Sequence, residues 1–345
     1  MTLVGCKDNR KVIGVLLYSS NDNEVNKILA SMEKEIDMSE NRIVYKDAQE
    51  SQMLQNDQFL ELIDSGVDLL VVNLVDRLSA NIYASKAKSN NIPIVFFNRE
   101  PLWEDLINYN KAYYVGVNGE GTGHKQAQII GRMFDNPDDL AIYYDINGNN
   151  IIEMVILKGE QGHQSTETIF KTCIDELNEK EFSINILETE YADWNREKAK
   201  KQMKKIYYSK NNLDSRGRSK IEVVICNNDE MAMGVIDFIM EEEIYLIDRN
   251  EGTYIMPFDI VGAGLTNDSS EAINNRYIYA SITGEEETQG ITIASLIKDL
   301  INNKDINIEL FKEVKFESGE DKYNIKGNFI LTNGEIIYSK RRPIR

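Results

Sequence analysis

The sequence predicts an α/β protein with two lobes, each a doubly wound parallel sheet covered by helices on both faces. Nearly continuous apolar runs, such as residues 11–18, are typical of strands buried on both faces. Segments of helical periodicity alternate with these runs, in cycles of about 25 residues. A chain of 345 residues that is 42% hydrophobic is long enough to form two cores.

The first half of the chain predicts five strands and the helices between them. The expected strands are residues 11–18, 42–46, 68–74, 93–97 and 112–117, and the expected helices are 24–37, 53–64, 78–90 and 124–134. The segment Gly119-Glu120-Gly121-Thr122-Gly123 precedes the last of these helices. It has neither the Walker spacing nor a G-x-G-x-x-G pattern, so we interpret it as a turn leading into the helix.

The same alternation continues in the second half. The expected strands are residues 152–158, 183–190, 221–226, 258–263 and 277–283, and the expected helices are 165–180, 195–209, 230–242 and 288–302. Residues 211–219 are polar and without periodicity, which predicts a surface loop. Residues 312–340 alternate polar and apolar side chains and are expected to form further β structure.

The net charge of the chain argues against two classes of partner. The chain has 57 acidic and 39 basic residues and a net charge of -18. Such an acidic surface argues against nucleic acid and against anionic membrane surfaces as partners. The sequence has no run of 18 apolar residues, so we expect no transmembrane helix.

The three cysteines cannot all pair, and their spacing does not indicate a metal cluster. Cys173 and Cys226 lie in apolar patterns and are expected to be buried thiols. Leu3-Val4-Gly5-Cys6 resembles the lipobox of bacterial lipoproteins, in which the cysteine carries a lipid after cleavage. The charged and apolar regions that precede such a site are missing, so truncation and a chance match are the two explanations. We expect residues 1–10 to form a lipoprotein-like tail.

A candidate calcium loop runs from Asp145 to Glu153. Oxygen-bearing side chains occupy positions 1, 3, 5 and 9, namely Asp145, Asn147, Asn149 and Glu153. Position 7, Ile151, can offer its backbone carbonyl. Position 12 is Ile156, so a bidentate carboxylate must come from elsewhere in the chain. The alternative interpretation is a turn rich in asparagine and aspartate between a helix and a strand.

Polar and aromatic side chains follow the predicted strands. Ligands of open α/β sheets bind at the carboxyl ends of the strands, so we inspected those positions. They carry Asp22, Asn98, His163, Trp194, Asn228 and Asp229. Amide, carboxylate, imidazole and indole groups suit a neutral polyhydroxy ligand, whose hydroxyls both donate and accept hydrogen bonds.

Several segments together resemble the galactose/glucose-binding proteins of bacterial ABC transport and chemotaxis. They are Val95–Pro101, Lys111–Gly116, Leu157–His163 and Ile221–Gly234. The resemblance covers roughly residues 11–302 and implies a type I periplasmic-binding-protein fold. In that fold a hinge of three chain crossings joins two lobes, which close on a hexose. Lobe 1 would comprise 11–115 with 284–336, and lobe 2 would comprise 116–283 with 337–345.

The resemblance also implies the site residues. A glutamate at the start of a later strand completes the family's calcium loop, and Glu222 matches it. The implied calcium ligands are Asp145, Asn147, Asn149, the Ile151 carbonyl, Glu153 and Glu222. The implied sugar contacts are Asp22, Asn98, His163, Trp194 and Asn228.

Five other sugar-contact positions differ from the family. Glu24 replaces an aromatic ring that stacks on the sugar, Ser165 an aspartate, Ile169 an arginine, Gly264 an aspartate and Gly284 an asparagine. If a loop shifts, Asn267 or Asp268 would replace the family's aspartate, which is absent because position 264 is glycine in this chain. Each buried hydroxyl without a partner costs ~1–3 kcal/mol, so we expect weak binding of glucose and galactose.

The leading hypothesis is an extracytoplasmic, sugar-like solute-binding protein. It would be anchored by lipid on Cys6 and would deliver its ligand to an ABC permease or a membrane sensor. The alternative is a sensory partner subunit that kept the fold and the calcium site but lost hexose binding. The sequence lacks a dinucleotide fingerprint, a nucleophile elbow and paired catalytic carboxylates, so we do not expect an enzyme. Ten residues before the first strand are too few for the DNA-binding helices of a repressor.

Overall fold

The computed structural model describes residues 8–135, 144–247 and 254–339. It divides the chain into two compact units. Unit 1 contains the chain up to Asn118 and Glu285–Asn333, and unit 2 contains Gly119–Gly284 and the chain from Gly334 onward. The chain thus passes from one unit to the other after residues 118, 284 and 333, where the sequence analysis placed 115, 283 and 336. Cys6 and the lipobox lie outside the described residues.

Strands and helices alternate along both units. The strands are β1 Lys11–Leu17, β2 Asn41–Asp47, β3 Leu69–Val72, β4 Ile94–Phe97, β5 Ala112–Val117, β6 Ile152–Lys158, β7 Ile184–Tyr191, β8 Val223–Cys226, β9 Leu246–Ile247, β10 Tyr254–Ile255, β11 Asp259–Val261, β12 Ala280–Ile282, β13 Tyr323–Lys326, β14 Phe329–Thr332 and β15 Ile336–Tyr338. The helices are α1 Asn23–Glu35, α2 Gln52–Asp64, α3 Ala80–Ser89, α4 Trp103–Leu106, α5 Gly119–Phe134, α6 Gln164–Glu179, α7 Arg196–Tyr207, α8 Asp229–Glu241, α9 Asn267–Asn274, α10 Glu286–Ile301 and α11 Glu309–Lys312.

Unit 1 is built on a seven-stranded sheet of order β13-β14-β5-β4-β3-β1-β2. Its strands are parallel except for β13, which pairs antiparallel with β14. Alternate side chains of the strands enter two separate cores. Leu70 and Phe96 pack with α2 and α3 on one face, whereas Val71 and Phe97 pack with α1 and α10 on the other. Both faces are therefore covered, as the apolar runs predicted.

Unit 2 repeats this arrangement with a six-stranded sheet of order β15-β12-β11-β8-β6-β7. The strands are parallel except for β15, which pairs antiparallel with β12. Val155 packs with α7 and α8 on one face, and Met154 packs with α5 and α6 on the other. The predicted fold class is confirmed: both units are α/β, with parallel sheets that each carry one antiparallel edge strand.

The two cysteines agree with a further prediction. Cys173 and Cys226 are free and buried. No helix in the described ranges has the length and apolar character needed to cross a membrane.

The glycine-rich segment differs from its prediction as a turn, because α5 already begins at Gly119. A Cβ atom at Gly123 would lie 2.7 Å from the Ile169 carbonyl oxygen and 3.1 Å from the Cys173 backbone nitrogen. Both neighbours are backbone atoms of α6, so they cannot move aside. This glycine is needed for close packing of the two helices.

We expect Gly123→Ala to lower the free energy of unfolding by about 1–3 kcal/mol, because the added methyl group forces α5 away from α6. Gly131→Ala in the same helix is the matched control. Its Cβ would meet only the Phe182 ring, at 3.4 Å, so the gain in helix propensity of about 0.5–1 kcal/mol should prevail. Urea unfolding followed by circular dichroism would measure both variants. Equal stability of the two variants would show that the packing of α5 against α6 does not require a glycine at position 123.

Candidate functional site

Asp22 of unit 1 lies between the carboxyl end of β1 and the start of α1. Its Oδ1 atom accepts hydrogen bonds from the backbone N–H groups of Glu24 (2.8 Å) and Val25 (3.0 Å), which caps the helix. The Tyr18 hydroxyl donates to Oδ2 at 2.5 Å. These bonds fix the carboxylate in one orientation and keep it at the carboxyl end of the sheet.

Asn98 follows β4 and is held from two sides. Its φ of 61° is in the left-handed region, which asparagine tolerates better than most residues. The Asn73 amide donates to Asn98 Oδ1 at 3.0 Å, and the Tyr114 hydroxyl donates to the Asn98 carbonyl at 2.9 Å. The side-chain position is therefore set by neighbouring strands of the same sheet.

Glu24 joins Asp22 and Asn98. Its carboxyl group lies close enough to the Asn98 side chain for this amide to act on its pKa. Burial, together with the negative charges of Asp22 and Glu286, raises the pKa of Glu24 to about 8, although Lys27 and the Asn98 amide act in the opposite direction. The residue keeps some exposed surface. The position at which the resembled family has an aromatic ring thus carries a carboxyl group in this chain, among the expected ligand contacts.

His163 and Trp194 of unit 2 form an aromatic pair. Their rings meet edge to face, with centroids 5.4 Å apart and an interplanar angle of 79°. The Ser165 hydroxyl lies 2.9 Å from His163 Nδ1. A Cβ at Gly159 would lie 2.2 Å from the Trp194 ring, so only glycine leaves room for the indole there.

Asn228 completes the unit 2 set. Its Oδ1 accepts from the Met231 backbone N–H at 2.9 Å and caps α8, while its amide nitrogen donates to the Trp194 carbonyl at 3.4 Å. His163, Trp194 and Asn228 are thus brought together. An indole face, an imidazole and an amide can stack on a ring and exchange hydrogen bonds with hydroxyls.

The surroundings of the other altered positions differ from one position to the next. Ser165 contacts His163, as described above, while Ile169 is buried in the protein interior with 4% exposure. A Cβ at Gly264 would meet nothing within 4 Å. Asp268 forms an ion pair with Arg196 at 3.1 Å, so its carboxylate already has a cationic partner in unit 2.

Two buried charged groups near the strand ends are structural. The Ser281 hydroxyl donates to the Asp229 carboxyl group. Burial raises the pKa of Asp229 to about 7. Lys158 ends β6 with 4% exposure, paired with Glu167 and hydrogen-bonded to the Tyr191 hydroxyl at 3.2 Å. The sequence analysis did not single out Lys158. A lysine that ends an otherwise apolar strand was the available signal.

Glu222 holds both ends of the candidate calcium loop. Its Oε1 accepts from the Ile146 N–H at 2.7 Å and its Oε2 from the Glu153 N–H at 3.1 Å. Burial, the main cause, and the charges of Glu153 and Asp145 raise the pKa of Glu222 to about 8. The structure therefore brings to the loop the distant carboxylate that the family resemblance implied.

The remaining oxygen donors are ordered within the loop. Asp145 accepts hydrogen bonds from three backbone N–H groups, those of Gly148, Asn149 and Asn150. Each of the two asparagine amide nitrogens donates to Glu153, from Asn147 at 3.1 Å and from Asn149 at 2.9 Å. The positive φ values of Gly148 (70°) and Asn150 (58°) make the turn possible. These bonds order hard oxygen donors within the loop, and oxygen donors are the ligands that calcium prefers.

The side chains of the loop are not yet arranged as a set of metal ligands. Within the described ranges, no three side chains of histidine, cysteine, aspartate or glutamate are gathered closely enough to hold a metal ion. The amide groups that donate to Glu153 supply the positive partner of that carboxylate. The donor types fit a cation, and its binding requires the carboxylates to draw closer together.

Comparison with known proteins identifies the family. The periplasmic binding protein domain matches residues 13–305. The chain belongs to the periplasmic binding protein family. Proteins of this family bind solutes outside the cytoplasm, so membership confirms that the chain is a binding protein and not an enzyme.

Similar proteins extend this comparison. The chain is 36% identical over 235 residues to the D-galactose/methyl-galactoside binding periplasmic protein MglB of Haemophilus influenzae, a match that covers 67% of this chain and 66% of the relative. A solute-binding protein from Bacillus halodurans, solved with bound myo-inositol, superposes with a TM-score of 0.73 at 20% identity and 97% coverage of both chains. A second, from Actinobacillus succinogenes with bound D-allose, has a TM-score of 0.72 at 16% identity, with 96% and 98% coverage. These two structures establish the shared fold.

We expect Asp22→Ala to destabilise this periplasmic binding protein by about 1–3 kcal/mol, because it removes the α1 cap and leaves the Tyr18 hydroxyl without its acceptor. Ser51→Ala is the control. Ser51 caps α2 through one bond, to the Leu54 N–H at 3.3 Å, and its loss should cost about 1 kcal/mol. Urea unfolding would measure the difference. Equal losses would mean that the Tyr18 bond contributes nothing.

Proposed function

We propose that this protein binds a sugar-like polyhydroxy ligand and presents it to an ABC permease or a membrane sensor. The observation that carries the proposal is the convergence of His163, Trp194 and Asn228 at the strand ends of unit 2, in a chain of this family. The galactoside specificity in the name of the Haemophilus relative and the myo-inositol and D-allose of the solved structures support this ligand class.

The candidate contacts of each unit suit a polyhydroxy ligand. In unit 2, Trp194 would cover the apolar face of a ring, and His163 and Asn228 would bond its hydroxyls. In unit 1, Asp22 and Asn98 would bond hydroxyls from positions fixed by the sheet and α1. We further propose that a lipid on Cys6 anchors the protein to the membrane. The permease or sensor would then find the protein at the membrane surface.

Glucose and galactose should bind weakly, with dissociation constants above roughly 100 μM. The Ile169 side chain cannot form the charge-assisted hydrogen bonds that an arginine supplies, and each unpaired hydroxyl lowers affinity about tenfold per 1.4 kcal/mol. Isothermal titration with glucose, galactose, D-allose and myo-inositol would measure this. Trp194→Ala is the control and should weaken any binding observed.

Micromolar binding of glucose would show that the altered positions lower the affinity less than expected.

A second candidate function is a sensory partner subunit without a hexose ligand, favoured by the burial of Ile169 in the protein interior. Absence of binding to every polyhydroxy ligand tested would support that candidate over the first.

We propose that calcium stabilises unit 2 at residues 145–153. The ligands would be the side chains of Asp145, Asn147, Asn149, Glu153 and Glu222 and the carbonyl of Ile151. Each asparagine oxygen accepts one backbone N–H, and its second lone pair is available to a cation. The cation would offset the repulsion among the three carboxylates. Its role would be structural, tying the loop to the residue that precedes β8.

EDTA should lower the melting temperature and calcium should restore it, because an ion that binds only the folded protein stabilises it by mass action. Glu222→Gln should reduce the calcium-dependent shift strongly, since it removes a carboxylate ligand. Differential scanning calorimetry with and without calcium would measure the shift for each variant. Because Glu222 also bonds the loop directly, the shift and not the absolute melting temperature is the relevant quantity.

Glu179→Gln, which removes an exposed carboxylate at the end of α6, is the matched control and should respond to calcium like the unmodified protein. Magnesium should substitute poorly, because it requires a smaller octahedral site. A melting temperature indifferent to EDTA and to calcium would rule out the proposed site.

A further inference from the structure

Glu24 places a carboxyl group among the unit 1 ligand contacts. It lies in the first turn of α1, and Asp22 caps the same turn by accepting the Glu24 backbone N–H. Its carboxyl group also lies close to the Asn98 side chain, which acts on its pKa. Since Asp22 and Asn98 belong to the proposed ligand site, a ligand held by these two residues lies within reach of Glu24.

The electrostatic surroundings of Glu24 favour a positive ligand group. Asp22 and Glu286 act on it as like charges, and with burial they raise the pKa of Glu24 to about 8. Lys27 acts in the opposite direction, but its ammonium is shared with Glu286 through an ion pair of 3.3 Å. A cation placed beside Glu24 would favour the ionised carboxylate, and any proton that Glu24 held would pass to solvent.

A neutral sugar gains little from this carboxyl group. Where an aromatic ring would cover the apolar face of the sugar, a carboxylate loses hydration without a compensating partner. A protonated amino group offers three N–H donors, and its hydrogen bonds to a carboxylate are about twice as strong as those between neutral groups. The same side chain therefore penalises a neutral ligand and favours an aminated one.

We propose that Glu24 selects a polyhydroxy ligand that carries a protonated amino group, an amino sugar or an aminocyclitol, by accepting charge-assisted hydrogen bonds from the ammonium. This inference rests on the proposed function, because it uses the same ligand contacts. Asp22 and Asn98 would bond hydroxyls of that ligand, and Glu24 would determine which ring binds.

Isothermal titration at pH 7.5 tests this with matched ligands. The set is glucose, the three analogues with an amino group in place of the hydroxyl at carbon 2, 3 or 6, the N-acetyl form of each, and myo-inositol with an amino counterpart. At least one amine should bind about tenfold or more tightly than its parent. Its N-acetyl form should lose that gain, because the acetyl group removes the charge.

The variant Glu24→Gln keeps the size of the side chain and removes its charge. It should weaken binding of the preferred amine about tenfold and change binding of the neutral parent less than about threefold. Glu35→Gln, an exposed position at the other end of α1, is the control and should change neither.

The outcomes separate the two proposals. If neutral ligands bind and no amine exceeds its parent, or if Glu24→Gln leaves the ratio unchanged, selection by Glu24 is wrong and the proposed function stands. If neither sugars, cyclitols nor their amines bind, the proposed function fails, and the inference fails with it.

Discussion

Burial of parallel strands on both faces is the constraint on which this structure depends. A strand such as β3, Leu69–Val72, has four buried residues in succession and no position for a polar group. In such a strand, polar side chains are accommodated where the strand ends. Since parallel strands of one sheet end at the same edge, the loops that follow them lie together. The candidate contacts of each unit occupy those loops.

Several proposed ligand contacts also hold the fold together. Asp22 and Asn228 cap α1 and α8, and the left-handed backbone at Asn98 and Trp194 turns the chain out of the sheets. A residue with both roles is fixed in position before a ligand arrives, which reduces the ordering that binding requires. Sequence patterns cannot separate the two roles, because the same side-chain oxygen serves each of them.

Long-range polar bonds connect loops that the local sequence would leave independent. Glu222, which precedes β8, accepts N–H groups from both ends of the loop that precedes β6. In unit 1 the Asn73 amide after β3 fixes Asn98 after β4. Both cases use a buried side chain at the end of a neighbouring strand to satisfy backbone or amide groups of a loop. The geometry of the loops thus follows from the order of the strands.

The sequence by itself determined the α/β class, the alternation of the longer strands and helices, the burial of Cys173 and Cys226, and the strand-end positions of the candidate contacts. These follow from periodicity and from short-range chemistry, which are written in consecutive residues. The sequence did not predict the short elements α4, β9, β10 and α11 or the helix α9. The tertiary structure decided what depends on residues far apart in the chain. Gly119–Gly123 became part of a helix, and α6 packs closely against Gly123. Glu24 became a neighbour of Asn98, and Lys158 a buried partner of Glu167 and Tyr191. Such contacts arise only when separate strands and helices pack, so no local pattern contains them.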